Sequence, residues 1–169
     1  MRPGVEEFRA SCPEVDDRFL HEHLTRLRAR YFERFSHGQI CQHLNTLSRL
    51  SPENPVKILL DIGGDEELWF LPDGGQNDQS EIRLTKVDCT VLAFDYPGLF
   101  SIITGVLAGM GFHILSGDVF TYLPATVKPP MQRRRRRSQR RSSAQDLLLR
   151  RRIVDHFSGV IRACPAGDG

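Results

Sequence analysis

The segment that most constrains the fold is an uncharged run from Tyr96 to Phe112, which lies between two strand-like stretches. Six apolar side chains recur in it at helical spacing, and they predict one apolar stripe on a helix. A turn sequence precedes the run and closely spaced glycines end it, so strand, turn, helix, turn and strand are expected in that order. This order favours an α+β fold. The stripe consists of Leu99, Ile102, Ile103, Val106, Leu107 and Met110.

The part of the chain before this segment has helical periodicity. Residues 14–35 place large apolar side chains three and four positions apart, which predicts one helix. Ser36 and Gln39 form a capping-box pattern, so we expect a second helix to begin there and to end before Pro55. Together they predict a helical hairpin over 14–55. Its apolar positions are Leu20, Leu24, Leu27, Tyr31, Phe35, Ile40, Leu44, Leu47 and Leu50.

Between the hairpin and the uncharged run, the sequence predicts β structure. Residues 56–61 form a short β-like run, and Gly63-Gly64 is expected to turn it toward the apolar stretch 68–71. A polar loop over 72–80 follows, and residues 87–94 then predict a buried strand.

Composition shifts complete the division of the chain. Residues 1–13 are expected to form a flexible N-terminus, and 56–122 to hold the β-hairpin and the strand–helix–strand segment. Residues 123–152 lack periodicity and predict a disordered insertion. Residues 153–163 regain strand-like composition, and 164–169 form a polar tail.

The charge of the chain is concentrated in that insertion. The whole chain of 169 residues has a formal net charge of +2, but residues 128–152 contain eleven Lys and Arg against one acidic residue. Such a run binds phosphate backbones through counterion release, or serves as a solvated linker. Nucleic-acid binding therefore stays open as an alternative function. Its candidate contacts are Arg133, Arg134, Arg135, Arg136, Arg137, Arg140 and Arg141.

Two short patterns suggest other functions. The uncharged run 96–112 raises the possibility of a membrane span, but a helix of about a dozen residues with a one-sided stripe favours a buried helix. Gly63-Gly-Asp-Glu66 spells the start of the diguanylate cyclase signature. Common turn residues make up this match, so a polar hairpin turn is the favoured interpretation, and a cyclase fragment would require Asp65 and Glu66.

Metal and cofactor sites are not predicted. His21, His23, His37, Cys41 and His43 lack the spacing of a zinc site, and solvated helix histidines are expected. No nucleotide-binding or hydrolytic motif is found, so we expect neither cofactor nor catalysis. The four cysteines form no C-x-x-C pair, and no apolar signal segment precedes them, which favours reduced thiols in the cytoplasm.

The stretch Phe94–Thr121 resembles the first half of an ACT domain. The match comprises a strand, a D-x-P-G-L turn, a helix with a G-V-L-A-like run, a G-x-x-I turn and a strand ending in F-T. Upstream, Arg30–Ser36 and Gln39–His43 resemble the helical segment before the ACT region of the PII-protein uridylyltransferase family. The resemblance spans about residues 18–161 and implies a ferredoxin-like βαββαβ fold. The last helix and strand of that fold are missing here.

The resemblance also implies a ligand site. Backbone N–H groups at the start of the helix would hold an amino acid's carboxylate, and Asp95 would meet its ammonium. The family usually has Asn where this chain has His113. The implied ligand-binding residues are Asp95, Tyr96, Pro97, Gly98, Leu99, His113 and Ile114.

The expected function is regulatory. The resemblance implies an amino-acid-sensing ACT module in nitrogen signalling, without catalysis of its own because the family's nucleotidyltransferase motifs are missing. Expected partners are a free amino acid or similar small ligand, a second copy forming a homodimer, and a catalytic domain or a longer parent chain. No membrane is expected. The Asp95–Gly98 turn could instead serve packing or dimer contact, and the small side of the helix could pack against the second copy.

Overall fold

The computed structural model describes residues 4–70, 81–124 and 150–162, excluding the side chains of 64–70 and 81–83. Within these ranges four helices precede two strands, and a fifth helix and two further strands follow, which is an α+β arrangement. The helices are α1 (Val5–Arg9), α2 (Asp17–Arg26), α3 (Ala29–Arg34), α4 (His37–Ser48) and α5 (Leu99–Gly109). The strands are β1 (Val56–Phe70), β2 (Glu81–Phe94), β3 (His113–Thr121) and β4 (Arg152–Arg162).

The strands form one antiparallel sheet in the order β1-β2-β4-β3. The N–H of Phe94 donates to the carbonyl of Pro55 at 3.3 Å, so the end of β2 lies beside the start of β1. The N–H groups of Asp95 and Tyr122 donate to the carbonyls of Arg151 and Arg152, at 2.7 and 3.0 Å. The ends of β2 and β3 thus both lie beside the start of β4. The predicted α+β class, the predicted strand at 87–94 and the predicted strand–helix–strand order are confirmed, and β4 covers most of the strand-like segment 153–163.

The chain divides into two compact units, and each strand contributes to both. The first unit comprises Met1–Lys57, Leu92–Tyr96 and Phe120–Val154. The second comprises Ile58–Val91, Pro97–Val119 and Asp155–Gly169.

The first unit has a core built on its helices. All nine apolar positions predicted for the helical hairpin are buried. Asp16 caps α2, because its carboxylate accepts from the N–H groups of Arg18 and Phe19. The predicted capping box of α4 is confirmed: the N–H of Ser36 donates to Gln39 Oε1 at 2.9 Å, and the Gln39 N–H donates to Ser36 Oγ at 3.4 Å.

The helix predicted over 14–35 is in fact two helices. Leu27 and Arg28 adopt extended conformations between α2 and α3, with ψ of 149° and 158°. Leu27 is nonetheless fully buried. Burial of the apolar side chains on both sides of the break therefore outweighs the backbone hydrogen bonds of a continuous helix, which explains why periodicity alone did not reveal the break.

The predicted flexible N-terminus also contains structure. Helix α1 lies within it, and Phe8 and Cys12 are each about 1% exposed. The Phe8 ring stacks on His37 with centroids 4.4 Å apart. Burial of these two side chains supplies the hydrophobic free energy that orders the segment.

The turn predicted at Gly63-Gly64 is wrong. Strand β1 runs without interruption from Val56 to Phe70, and Gly63 lies opposite Lys86 of β2. A Cβ at position 63 would lie 3.4 Å from the Lys86 carbonyl oxygen. Pairing with β2 outweighs the low β propensity of glycine, and close backbone approach suits a residue without a side chain.

Helix α5 buries only part of its predicted stripe. Leu99 and Ile103 are buried, whereas Ile102, Val106 and Met110 are exposed, Met110 to 77%. A helix of 11 residues packs on a sheet along a narrow line of contact. Apolar side chains at the edge of a broad stripe therefore remain exposed. None of the helices in the described ranges is long and apolar enough to cross a membrane.

Three predicted segments fall largely outside the described residues. These are the polar loop over 72–80, the insertion from residue 125 to 149, and the tail 164–169.

Gly159 of β4 provides a test of the sheet in the second unit. A Cβ there would lie 2.5 Å from Cε1 of the Phe112 ring and would overlap the His113 carbonyl oxygen. Gly159→Ala is therefore expected to lower the free energy of unfolding by about 1–3 kcal/mol through overpacking. Chemical denaturation of the full chain measures this change.

Gly105→Ala is the matched control. Gly105 lies inside α5 with nothing within 4 Å of an added Cβ, so alanine should raise the free energy of unfolding by about 0.5–1 kcal/mol. Equal effects of the two substitutions would contradict the pairing of β4 with β3.

Candidate functional site

The turn between β2 and α5 holds most of the ligand-binding residues implied by the resemblance. Asp95 follows the last residue of β2, and its carboxylate accepts a hydrogen bond from the Arg151 guanidinium at 3.0 Å. The two side chains are 31% and 47% exposed, so the ion pair contributes little to stability. Asp95 is thus oriented by Arg151. Arg151 was recognised only as part of the basic segment, because nothing in the sequence pairs it with Asp95.

Gly98 sets the direction in which α5 begins. It is the N-cap of the helix, with φ of 82° in the left-handed region and ψ of −1°. An added Cβ would meet nothing within 4 Å, so backbone conformation, and not crowding, requires glycine here. A glycine N-cap has no side-chain acceptor, and the first turn of α5 contains no acidic residue. Its first N–H groups are therefore available to an anion.

The other implied residues lie in different environments. Pro97 is exposed and Tyr96 is half-buried. Leu99 is buried, so its side chain anchors the start of α5 in the core of the second unit. His113 and Ile114 are the first two residues of β3, and both are exposed. The structure thus leaves His113 accessible to a ligand.

The sequence also suggested a nucleic-acid contact and a cyclase-like motif. Arg133–Arg141, the proposed nucleic-acid contact, lies outside the described residues. The Gly63–Glu66 motif lies within β1, so the predicted polar hairpin turn is wrong there. A motif in the middle of a strand also lacks the hairpin tip on which a cyclase places its acidic pair.

A chain of buried polar side chains was not predicted. His23 Nδ1 is hydrogen-bonded to Tyr122 Oη at 2.5 Å, and His23 Nε2 to Tyr31 Oη at 3.1 Å. Tyr31 Oη is also hydrogen-bonded to His43 Nδ1 at 2.9 Å. The two histidines were expected to be solvated, and this was wrong: His23 is fully buried and His43 nearly so. We name this set the His–Tyr chain.

The helical spacing contained the signal for this burial. His23 lies three residues after Leu20 and four before Leu27, and His43 lies three after Ile40 and four before Leu47. Both histidines thus belong to the apolar faces of their helices.

Burial holds His23, Tyr31 and Tyr122 of the His–Tyr chain in their neutral forms. Burial lowers the pKa of His23 to about 3, and the positive charges of His43 and Arg152 act in the same direction. Burial also raises the pKa of Tyr31 and of Tyr122 well above the usual range. A neutral imidazole has one donor and one acceptor, which the two tyrosine hydroxyls satisfy. These hydrogen bonds therefore stabilise the helical unit.

A second polar cluster lies in the second unit. His156 Nδ1 is 3.0 Å from Thr90 Oγ1, and His156 Nε2 is 3.4 Å from Ser158 Oγ. Ser158 donates its hydroxyl to Asp88 Oδ1. In a hydrolytic triad the carboxylate orients the histidine and the histidine accepts the serine proton. Here the Ser158 hydroxyl donates its hydrogen bond to the carboxylate, so these side chains are not hydrogen-bonded in the order of such a triad.

The described residues contain no group of three or more His, Cys, Asp or Glu side chains arranged to hold a metal ion. Cys12, Cys41 and Cys89 are free and buried. Burial, followed by the contact with Cys41, raises the pKa of Cys12 to about 12, so this thiol stays protonated and unreactive.

The His–Tyr chain predicts a loss of stability in mild acid. Unfolded His23 titrates at 6.5 and folded His23 at about 3, so between these values the unfolded state binds the additional proton. The free energy of unfolding should therefore fall as the pH drops below 6.5, by about 2 kcal/mol between pH 7 and pH 5. Denaturant unfolding at a series of pH values measures this slope.

His23→Gln should lower stability at pH 7 and flatten the slope between pH 7 and pH 5. His21→Gln is the matched control, because His21 is exposed on the same helix and its replacement should leave the slope unchanged. Identical slopes in both variants would contradict the lowered pKa of His23 in the folded chain.

The chain matches no protein-family model, no curated protein sequence and no solved structure.

Proposed function

We propose that this chain is an ACT-type regulatory module that binds a free amino acid or a similar small ligand at the turn before α5. The observation that carries the proposal is the left-handed Gly98 at the N-cap of α5, which leaves the first N–H groups of the helix without a side-chain acceptor. An α-carboxylate suits such a helix start, where the N–H groups and the helix dipole both favour an anion.

The strand order supports an ACT-type arrangement. β2 and β3 run in the same direction, are joined by α5 and have β4 between them, which is a split βαβ unit. These three strands correspond to the first, second and third strands of a βαββαβ sheet, with β4 as the third. β1 then lies beside the first strand, at the position that the fourth strand has in a ferredoxin-like sheet.

Recognition of the ligand is expected to involve two charges. The carboxylate would accept hydrogen bonds from the N–H groups at Leu99 and Phe100, and the Asp95 carboxylate would meet the ammonium. Arg151 holds Asp95 through an exposed ion pair, so the ammonium would compete with a weak contact. We place the module in a PII-uridylyltransferase-like signalling protein on the resemblance of the sequence, and propose no catalysis within this chain.

Calorimetric titration with a panel of amino acids, glutamine included, tests this function. About 0.3 M salt shortens the Debye length to roughly 6 Å and suppresses non-specific binding to the arginine run. We expect saturable binding of one amino acid, weakened at least about tenfold by Gly98→Ala because a left-handed alanine is strained and displaces the turn.

Gly111→Ala is the matched control for Gly98→Ala. Gly111 also has positive φ, at 80°, and an added Cβ meets nothing within 4 Å there. Both variants should therefore lose about 1 kcal/mol of stability, but Gly111→Ala should bind normally. Equal loss of binding in both variants, or no heat from any amino acid with the chain folded, would contradict the proposed site.

The nucleic-acid alternative gives a different outcome in parallel titrations. Binding to an oligonucleotide through Arg133–Arg141 would fall steeply with salt and would disappear on deletion of 131–150. Amino-acid binding at the turn should survive both changes.

A further inference from the structure

Strand β1 has a long free edge. Among the described strands it has β2 as its only neighbour, and it is 15 residues long. A long edge strand presents unpaired N–H and C=O groups that can pair with another chain. The side chains along this edge therefore determine which chain can pair with β1.

The pairing of β1 with β2 determines which backbone groups face the free edge. The hydrogen bond from the Phe94 N–H to the Pro55 carbonyl places these two residues at a hydrogen-bonded position of the antiparallel ladder, although proline has no N–H to donate in return. Hydrogen-bonded and non-hydrogen-bonded positions alternate along such a ladder. The odd-numbered residues 57, 59 and 61 therefore direct their backbone groups toward β2. The even-numbered residues 56, 58, 60 and 62 direct theirs toward the free edge.

The side chains of β1 divide between the two faces of the sheet in the same alternation. One face presents four apolar side chains, which are exposed from 37% to 62%, although apolar strand faces are normally covered. The other face presents Lys57, Leu59 and Asp61, and both charged residues are exposed. The apolar side chains are Val56, Ile58, Leu60 and Ile62.

We propose that a second copy of this chain pairs antiparallel with β1 about a twofold axis through Leu59. This register places Lys57 opposite the partner's Asp61 and Asp61 opposite the partner's Lys57. It also places Ile58 opposite the partner's Leu60. Because the even-numbered residues make the intermolecular hydrogen bonds, the charged pairs occupy non-hydrogen-bonded positions, where side chains approach most closely.

Other arrangements of two copies fit less well. Moving the axis to Ile58 places Asp61 opposite the partner's Pro55. Moving it to Leu60 places Lys57 opposite the partner's Gly63. In both registers the two Lys57–Asp61 pairs are lost. In-register parallel pairing places Lys57 beside its own copy and Asp61 likewise, which is repulsive. The twofold antiparallel register is self-complementary and closes after two copies.

The second free edge, on β3, lacks this complementarity. His113 and Asp118 occupy odd and even positions, so they lie on opposite faces of the strand and cannot face each other across a twofold axis. Edge pairing through β1 is therefore the more specific of the two. It does not depend on the proposed ligand function.

A charge exchange tests the pairing in the full chain. Sedimentation velocity up to about 100 µM should show a dimer, and Lys57→Asp should weaken it about tenfold because two like-charge pairs replace two opposite-charge pairs. The double variant Lys57→Asp/Asp61→Lys should restore wild-type dimerisation. Lys86→Asp, an exposed charge change on the interior strand β2, should leave it unchanged.

A disulfide at the axis provides a second readout. In a Cys164→Ser background, Leu59→Cys should form a covalent dimer on oxidation, since the non-hydrogen-bonded pair brings the two Cβ atoms close. Leu60→Cys is the control, because its own copy lies two residues away in this register. A monomer throughout the concentration range, a dimer indifferent to both charge variants, or equal cross-linking at 59 and 60 would overturn the proposal.

Discussion

The insertion of β4 between β2 and β3 is the interaction on which the sheet depends. Five consecutive residues of β4, from Ile153 to Phe157, are buried, so this strand is covered on both faces. Strands buried on both faces supply the largest apolar area per residue. Without β4, β2 and β3 would be two parallel strands joined by a helix but separated by a gap. The first residues of β4 are hydrogen-bonded to the backbone at the end of β2, and Gly98 lies four residues beyond that end.

Burial also decides the chemistry that the chain can perform. In the helical unit the His–Tyr chain satisfies its members with one another, since an unpaired polar group in this environment would cost several kcal/mol. In the second unit Ser158 donates its hydroxyl hydrogen to Asp88. The backbone N–H groups at the start of α5 have no side-chain acceptor, and this is where we propose that the ligand binds.

Local sequence patterns predicted much of the fold but not its long-range pairings. The Ser36–Gln39 capping box and the apolar faces of the helices depend on neighbouring residues, and they were confirmed. The break at Leu27 and the path of β1 through Gly63 depend on packing and on β2, which short windows do not contain. The burial of His23 could have been predicted from its helical spacing relative to Leu20 and Leu27. It was missed because histidine on a helix was expected to be exposed. The turn at the start of α5 could be predicted because its left-handed backbone conformation favours glycine.

The most direct test of the proposed function is an amide chemical-shift titration of the full chain with single amino acids at about 0.3 M salt. We predict saturable shifts concentrated at Gly98, Leu99 and Phe100, with smaller shifts at Asp95. A ligand that binds only by charge would instead shift the arginine run and would be displaced by salt. No shift at the start of α5 with any amino acid, in a chain whose spectrum shows it to be folded, would contradict the account.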